Sequence, residues 1–565
     1  MVDLRTKLWF SRGQTMRIIG SLSGLLIVYL LNAIAWPSSA LATDAEGTGA
    51  TSSTEITVLV VTALAFVGAG LAVRQVRRST GKQEDEPKEE LLDVDLLDSR
   101  PAPASEPRIT RIFETTFLVV LVGYALFDRG FAWFHVPGTP LFIGEITLGL
   151  GVLAMMATRI PMLSYVRRSP GIKALAIWMA WGFLFLVAQL PIYGIDTVRD
   201  SAIWYYGATA LLVLFLVMAD PGRLGRWADG FGRVMPYILG WFPIAIALDT
   251  ILGAGPPYVP DSTVPFFTHR FGNIAVFSAI SLGFVWLVDR ERGRFSAQRR
   301  IMLTALATIA ILLAGFQNRG GMVSAILGIV LMLFLLPRRR GELTLIIAAV
   351  GLSIATVAIV SDVRIPVSNG RDISAAQMMD NIGSIINPEG AESRQRSTTE
   401  WRLNLWSSVV NDVNNEHPVK GFGPGPDLGE RYGVTTNEQT PLRNPHNSHV
   451  GVLARMGWVG IGMWAVLWSV WALNLLQLRS RLVRRGRSVE AGTIAWVLVS
   501  AFMILLNSVF DPTLEGPQVG MMLWVFFGIG ASIPLLYAGL AGSRFSVSSK
   551  GGAEASGAVA SSASS

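Results

Sequence analysis

"IMLTALATIAILLAGFQNRGGMVSAILGIVLMLFLLPRRR", residues 301–340, sets two apolar runs on either side of a short polar turn and ends on a basic triplet. Backbone placed in hydrocarbon has no water to bond, so runs of this kind read as membrane helices. The turn then holds Arg319, flanked by Gly320 and Gly321, at one face of a membrane and Arg338-Arg339-Arg340 at the other. Basic residues collect on the cytoplasmic side, which assigns the triplet inside and Arg319 outside. Arginine at an outer edge runs against that bias and calls for a reason, either a lipid phosphate or an anionic substrate.

The pattern repeats along the 565 residues, of which 51% are apolar and only 15% charged, with a mean hydropathy of +0.46. Spans are expected near 57–73, 112–127, 139–158, 173–192, 202–219, 234–252, 272–288, 301–316, 322–336, 343–361, 456–476, 491–509 and 518–540. The clusters Arg74/Arg77/Arg78, Arg159/Arg167/Arg168, Arg223/Arg226/Arg233, Arg290/Arg292/Arg294, Arg338–Arg340 and Arg479–Arg487 all fall on one side of this scheme. These juxtamembrane arginines account for the net charge of +7 without a nucleic-acid partner. The chain has no cysteine, which excludes disulfides, thiolate catalysis, iron–sulfur clusters and cysteine-ligated zinc.

The expected fold is thus an all-α polytopic membrane protein. It has about twelve core spans, an N-terminal signal or anchor, one extra span, and a long, partly helical outer loop. Residues 1–42 carry Arg5, Lys7, Arg12 and Arg17 before an apolar stretch and the triplet Ala40-Leu41-Ala42, the order of a secretory signal peptide. An uncleaved anchor is the rival reading. Residues 43–78 hold an outer segment and the first span. Residues 79–110, rich in charge, Pro and Ser, read as a disordered cytoplasmic linker. The membrane domain is expected over 111–541, with the outer loop at 362–447, and 542–565 form a Ser/Ala/Gly-rich tail. All five histidines, His135, His269, His417, His446 and His449, land on the outer side.

A loop of that length between spans is more often functional than idle. Within it, "STTEWRLNLWSSVVNDV" (397–413) has helical spacing at Leu405, Val409 and Val413, with Ser397 and Glu400 fitting a capping box. Arg402 and Trp406 share one face, either as part of a site or as a surface helix resting on the membrane interface. "HPVKGFGPGPDLG" (417–429) is either a plain loop or a glycine turn offering N–H groups to an anion. "NPHNSHVG" (444–451) opens a span: His446 and Asn447 initiate the helix, Ser448 caps it, and His449 sits a turn inside. Two histidines three apart without a third ligand do not make a zinc site, and no paired-carboxylate metal motif stands outside, where "FDPTLE" offers Asp511 and Glu515.

The succession N-R-G-G in a short outer turn, R-L-N-L-W in a long outer loop, G-F-G-P-G, then P-H-N-S and G-W-V-G entering a span resembles the O-antigen ligase and O-antigen polymerase superfamily over about Arg319–Gly460. The resemblance implies a bacterial plasma (inner) membrane enzyme acting on glycans carried by undecaprenyl pyrophosphate, with its site facing the extracytoplasmic side and no cofactor. It implies catalytic roles for His446, Arg319 and Arg402, the arginines on the donor pyrophosphate and the histidine on the acceptor. A substrate-binding surround is expected from Arg270, Trp406, Asn447, Gly423 and Gly425, and His449 is set aside as a helix-face neighbour. Physical chemistry agrees: arginine offers a charged fork suited to phosphate, and a histidine near neutrality suits a hydroxyl acceptor. Metal-independent, inverting transfer to a glycan, lipid or protein acceptor is the expectation, as a surface-polysaccharide ligase or polymerase. The alternatives are a transporter or flippase of a lipid-linked sugar or small anion, and an O-linked oligosaccharyltransferase acting on protein.

Overall fold

Long apolar segments can satisfy their own backbone only by coiling, and the computed structural model is helical almost throughout. It describes residues 95–98, 106–158, 160–252, 255–336, 340–360, 365–366, 372–373, 393–433 and 443–539. The expected signal, the span near 57–73, most of the linker and the C-terminal tail lie outside these residues.

In chain order the helices are α1 (Arg108–Ala132), α2 (Ile143–Thr158), α3 (Met162–Arg168), α4 (Pro170–Tyr193), α5 (Ile195–Asp200), α6 (Ala202–Tyr205), α7 (Ala208–Ala219), α8 (Arg223–Leu252), α9 (Phe271–Arg292), α10 (Ala297–Gln317), α11 (Arg319–Leu335) and α12 (Arg340–Val360). After a two-residue antiparallel pairing of Ile365–Pro366 with Asp372–Ile373 come α13 (Ser393–Glu416), α14 (Leu428–Arg431), α15 (Ser448–Arg484), α16 (Ser488–Phe510) and α17 (Pro517–Tyr537). Among the described residues, nine helices are long and apolar enough to cross a membrane, with α6 and α7 counted as one over Ala202–Ala219. Helices also form at the other three expected positions: α2, of 16 residues, bends sharply into α3, α11 has 17 residues and α12 has 21. Among the described residues, nine full spans, or ten if the bent pair α2–α3 is one, thus stand beside the twelve expected, with α11 and α12 helical at the remaining positions.

Helix ends follow local chemistry. Pro170 and Pro517 stand at first-turn positions, where a missing N–H costs nothing. Ser296 and Asn318 cap α10 and α11 through Arg299 N and Gly321 N. Two helices break internally: α1 at Asp128 and α15 at Gly457 (φ 66°). At the second break a Cβ would overlap the Val419 carbonyl, and the loop mends the ladder, with Trp458 N donating to Pro418 O and Phe422 N to Ala454 O at 2.8 and 2.7 Å. Gly421 meets Gly457 there backbone to backbone, a close approach that only residues without Cβ permit.

α9 and α16 form the buried centre, packed on each other and on α10, α11 and α15. Beside them Trp178, Trp464, Trp468, Trp471, Trp524 and Phe527 interlock across α4, α15 and α17. α4 instead turns Phe183, Leu184, Val187 and Ile192 outward, as a lipid-facing helix does. Following the connections, one end of the bundle carries Arg168, Arg223, Arg290, Arg292 and Arg484. There Arg292 pairs with Asp229 at 2.8 Å and Arg479 donates to Leu335 O at 2.9 Å. Four residues of the expected linker dock at this end: Leu96 and Leu97 are buried, and Arg292 donates to Leu97 O. These leucines form one of two leucine pairs in the stretch, and burial against α8 and α9 holds them. The opposite end collects the starts of α9, α11 and α15, the end of α16, and α13.

Candidate active site

α13 lies across that second end because Leu405, Trp406, Val409, Val410 and Val413 form one buried stripe packed on α15. The helix begins at Ser393, ahead of the capping box expected at Ser397. Its polar edge then meets the segment before α15. Arg402 Nη1 donates to Phe510 O at 3.0 Å, and Trp406 Nε1 donates to Pro445 O at 2.7 Å. The Trp401 ring stands edge-on to the His446 imidazole, centroids 5.8 Å apart.

The other two arginines arrive by helix starts. Arg270 is the residue before α9, and its Nη1 donates to Asp511 Oδ1 at 3.3 Å and Pro512 O at 3.2 Å. Arg319 opens α11 directly after the Asn318 cap. A Cβ on Gly321 would overlap Gly272 Cα, and one on Gly320 would overlap Phe510 Cβ. The first turns of α9 and α11 thus touch each other and the end of α16. Arg270, Arg319 and Arg402 gather around Phe510 and Asp511, at a place where helix starts present N–H groups and the positive ends of their dipoles.

His446 borders this group. It adopts φ 52°, a left-handed conformation rare for a non-glycine residue, with its N–H donating to Asn444 Oδ1 at 3.2 Å. Burial lowers the imidazole to about 4, with Arg402 and Arg270 lowering it further and Asp511 opposing them. It is therefore neutral near pH 7, with a nitrogen lone pair free of a proton. Beside Ser448, burial pushes the Glu515 carboxyl up to about 7. Glu515 Oε2 accepts from Ser448 Oγ at 3.1 Å, and Ser448 Oγ accepts from Leu514 N at 3.3 Å.

Asn447, rather than Ser448, caps α15: its Oδ1 accepts from His449 N at 2.9 Å and Val450 N at 3.2 Å. Ser448 is diverted to Glu515. His449 points into the bundle, with Nε2 at 2.9 Å from Leu505 O and Nδ1 accepting from Trp464 Nε1 at 3.1 Å.

Gly423 and Gly425 belong to a second polar cluster. Their positive φ values, 77° and 119°, curl the loop over Gln189 and Tyr193. Gly423 O accepts from Arg455 Nη1 at 3.1 Å, and Gly425 N donates to Asp200 Oδ2 at 2.9 Å. Arg455 also donates to Pro426 O and Arg443 O, while Arg443 pairs with Asp200 at 3.1 Å and Asp427 at 3.2 Å. This arrangement braces the loop onto α5 and α15.

In the sequence Asp511 and Glu515 stand in "FDPTLE" without forming a metal motif. Asp128, Asn273 and Asn507, which lie beneath the arginines, carry no local signal at all. A comparison with the curated proteins finds no match. Residues 302–465, from α10 into α15, match the family model for O-antigen ligase, and this segment is thereby assigned to the O-antigen ligase and polymerase superfamily that its motifs resemble.

Proposed function

We propose that this membrane protein is a glycosyltransferase that moves or polymerises glycan from an undecaprenyl-pyrophosphate-linked donor onto an acceptor hydroxyl at the extracytoplasmic face. The observation that carries the reading is the gathering of Arg270, Arg319, Arg402 and His446 at the bundle end away from the basic clusters.

In this reading the arginines and the starts of α9 and α11 hold the donor pyrophosphate. The acceptor hydroxyl attacks the anomeric carbon, the bond from that carbon to the phosphate oxygen breaks, and undecaprenyl pyrophosphate leaves with the electron pair. Arginine forks, rather than a cation, take up the charge building on the leaving group. The acceptor proton passes to the neutral His446 imidazole. Displacement in one step inverts the anomeric centre. The resting imidazole is weakly basic, and two of the groups that keep it so are the arginines the donor would engage. Bound pyrophosphate offsets their charge, so His446 becomes a stronger base when donor is present.

The test is the glycan and lipid-linked intermediate profile of a deletion strain complemented with wild type or with His446→Ala. Accumulated single repeat units on lipid identify a polymerase, and accumulated long chains on lipid a ligase. Donor trapped facing the cytoplasm would identify a flippase and overturn the proposal.

A further inference from the structure

Beneath the arginines runs a buried chain of polar side chains that no sequence motif contains. It starts at Asp128, where α1 breaks (φ 43°, ψ −118°) and the side chain is 2% exposed. A non-glycine residue is held in such a conformation only where its surroundings demand it. The carboxylate accepts from Arg270 N at 2.7 Å and from Asn273 Nδ2 at 3.1 and 3.2 Å. Asn273, in the first turn of α9, accepts on Oδ1 from Asn507 Nδ2 at 3.2 Å. Asn507 O in turn accepts from Asp511 N at 3.2 Å, which sets Asn507 one turn below the carboxylate that pairs with Arg270. A Cβ on Gly272 would lie 3.0 Å from Asn507 Oδ1 and 3.2 Å from Asn318 Nδ2. The cap that precedes Arg319 therefore rests against the same chain.

The direction of each bond is dictated by chemistry. Carboxylate oxygens accept, so Asn273 must turn its amide nitrogen to Asp128, and this leaves its oxygen for Asn507. Helix capping alone would be met by Asp128 on Arg270 N. The extension through Asn273 to Asn507 ties the start of α9 to α16, whose end supplies Phe510 O to Arg402 and Asp511 to Arg270.

We infer that Asp128, Asn273 and Asn507 are positioning residues for the arginine set, fixing the start of α9 against the end of α16. The inference rests on the pyrophosphate-binding reading above. The positions lie far apart in sequence, yet each touches the next, so substitutions among them are expected to couple strongly.

The experiment uses the full-length protein, with glycan transfer measured across donor concentrations and thermal unfolding followed as inorganic pyrophosphate is titrated. Asp128→Asn sets an amide donor against Asn273 Nδ2. It is expected to lower transfer roughly 10- to 100-fold, as small misplacements of a positioned group do, and to raise the pyrophosphate concentration giving half the thermal shift. Adding Asn273→Asp restores a complementary chain, since the amide at 128 can donate to the carboxylate at 273, which still accepts from Asn507. Most of the transfer should return. In an Arg270→Ala background, Asp128→Asn should add less than about 2-fold, because both act on one interaction.

Wild-type transfer by Asp128→Asn, a folded exchange variant no better than the single one, or full additivity with Arg270→Ala would each overturn the inference. Should Asp128→Asn fail to accumulate, the exchange variant decides alone: restored transfer supports the chain, and a folded inactive protein overturns it. Failure of the underlying reading is visible separately, as an absent pyrophosphate shift in wild type and normal transfer by Arg270→Ala.

Discussion

Two arginine clusters flank His446, and they are built for different ends. Around Asp200, Arg455 is 8% exposed and spends its donors on Asp200 and on three loop carbonyls. Around Asp511, the Arg270 side chain is 29% exposed and opens toward the starts of α9 and α11. Residue type is the same in both. A guanidinium sealed under carbonyls is a brace, whereas one left open beside helix starts is free to exchange its partners for an incoming anion.

The contrast can be broken by substitution. The largest effect is expected from His446→Ala, a loss of roughly 10²–10⁴-fold in glycan transfer at matched protein level, the range typical of a removed acid–base group. Normal transfer would end the acceptor role given to it. Arg319→Lys and Arg402→Lys should each cost on the order of 10- to 100-fold, because a point charge does not replace a fork of donors. If both lysine variants transfer at the wild-type rate, the open cluster is no pyrophosphate clamp.

Arg455→Met should act on the other axis. Removing one partner of a buried ion pair costs about 3–5 kcal/mol, which is read as a fall in thermal stability and membrane abundance, while transfer per folded molecule is preserved. A variant that is stable but inactive would move Arg455 from brace to site.

The smallest effect separates the titrating neighbours. Glu515 rises from 4.5 to about 7 on folding, so the native state holds its proton more tightly. Its contribution to stability is present below pH 4.5 and lost as pH rises through 7. His446 falls from 6.5 to about 4, and its contribution is present above 6.5 and lost as pH falls through 4. The stability of Glu515→Gln relative to wild type should therefore climb between pH 4.5 and 7 in thermal melts. A flat difference would mean that Glu515 is not held protonated.

Much of this was legible in sequence, for identifiable reasons. Spans are read from apolar runs, since hydrocarbon dictates helix regardless of partners. The stripe Leu405, Val409, Val413 was legible because burial on one face imposes its own period. Arg319, Arg402 and His446 lie in compact motifs, so their resemblance survives in a linear string. Asp128, Asn273 and Asn507 do not, because each is an ordinary polar residue until tertiary contact joins them. The docking of Leu96 and Leu97 was hidden likewise, as composition averages over a segment and cannot single out the two residues that find a groove. The span near 139–158 begins later than its hydropathy suggests, since α2 starts at Ile143 and bends sharply into α3.

The brace has one more consequence, for how such a protein can change. Arg443 reaches back to Asp427 at 3.2 Å and to Gly425 O at 3.1 Å, and its own carbonyl is held by Arg455. The chain between Asp427 and Arg443 is thus closed at its neck, only three residues before His446. Doubling the length of a closed loop costs only about 0.6 kcal/mol, and the neck isolates His446 from whatever is inserted. Changes beyond the neck therefore leave the backbone that carries His446 in place.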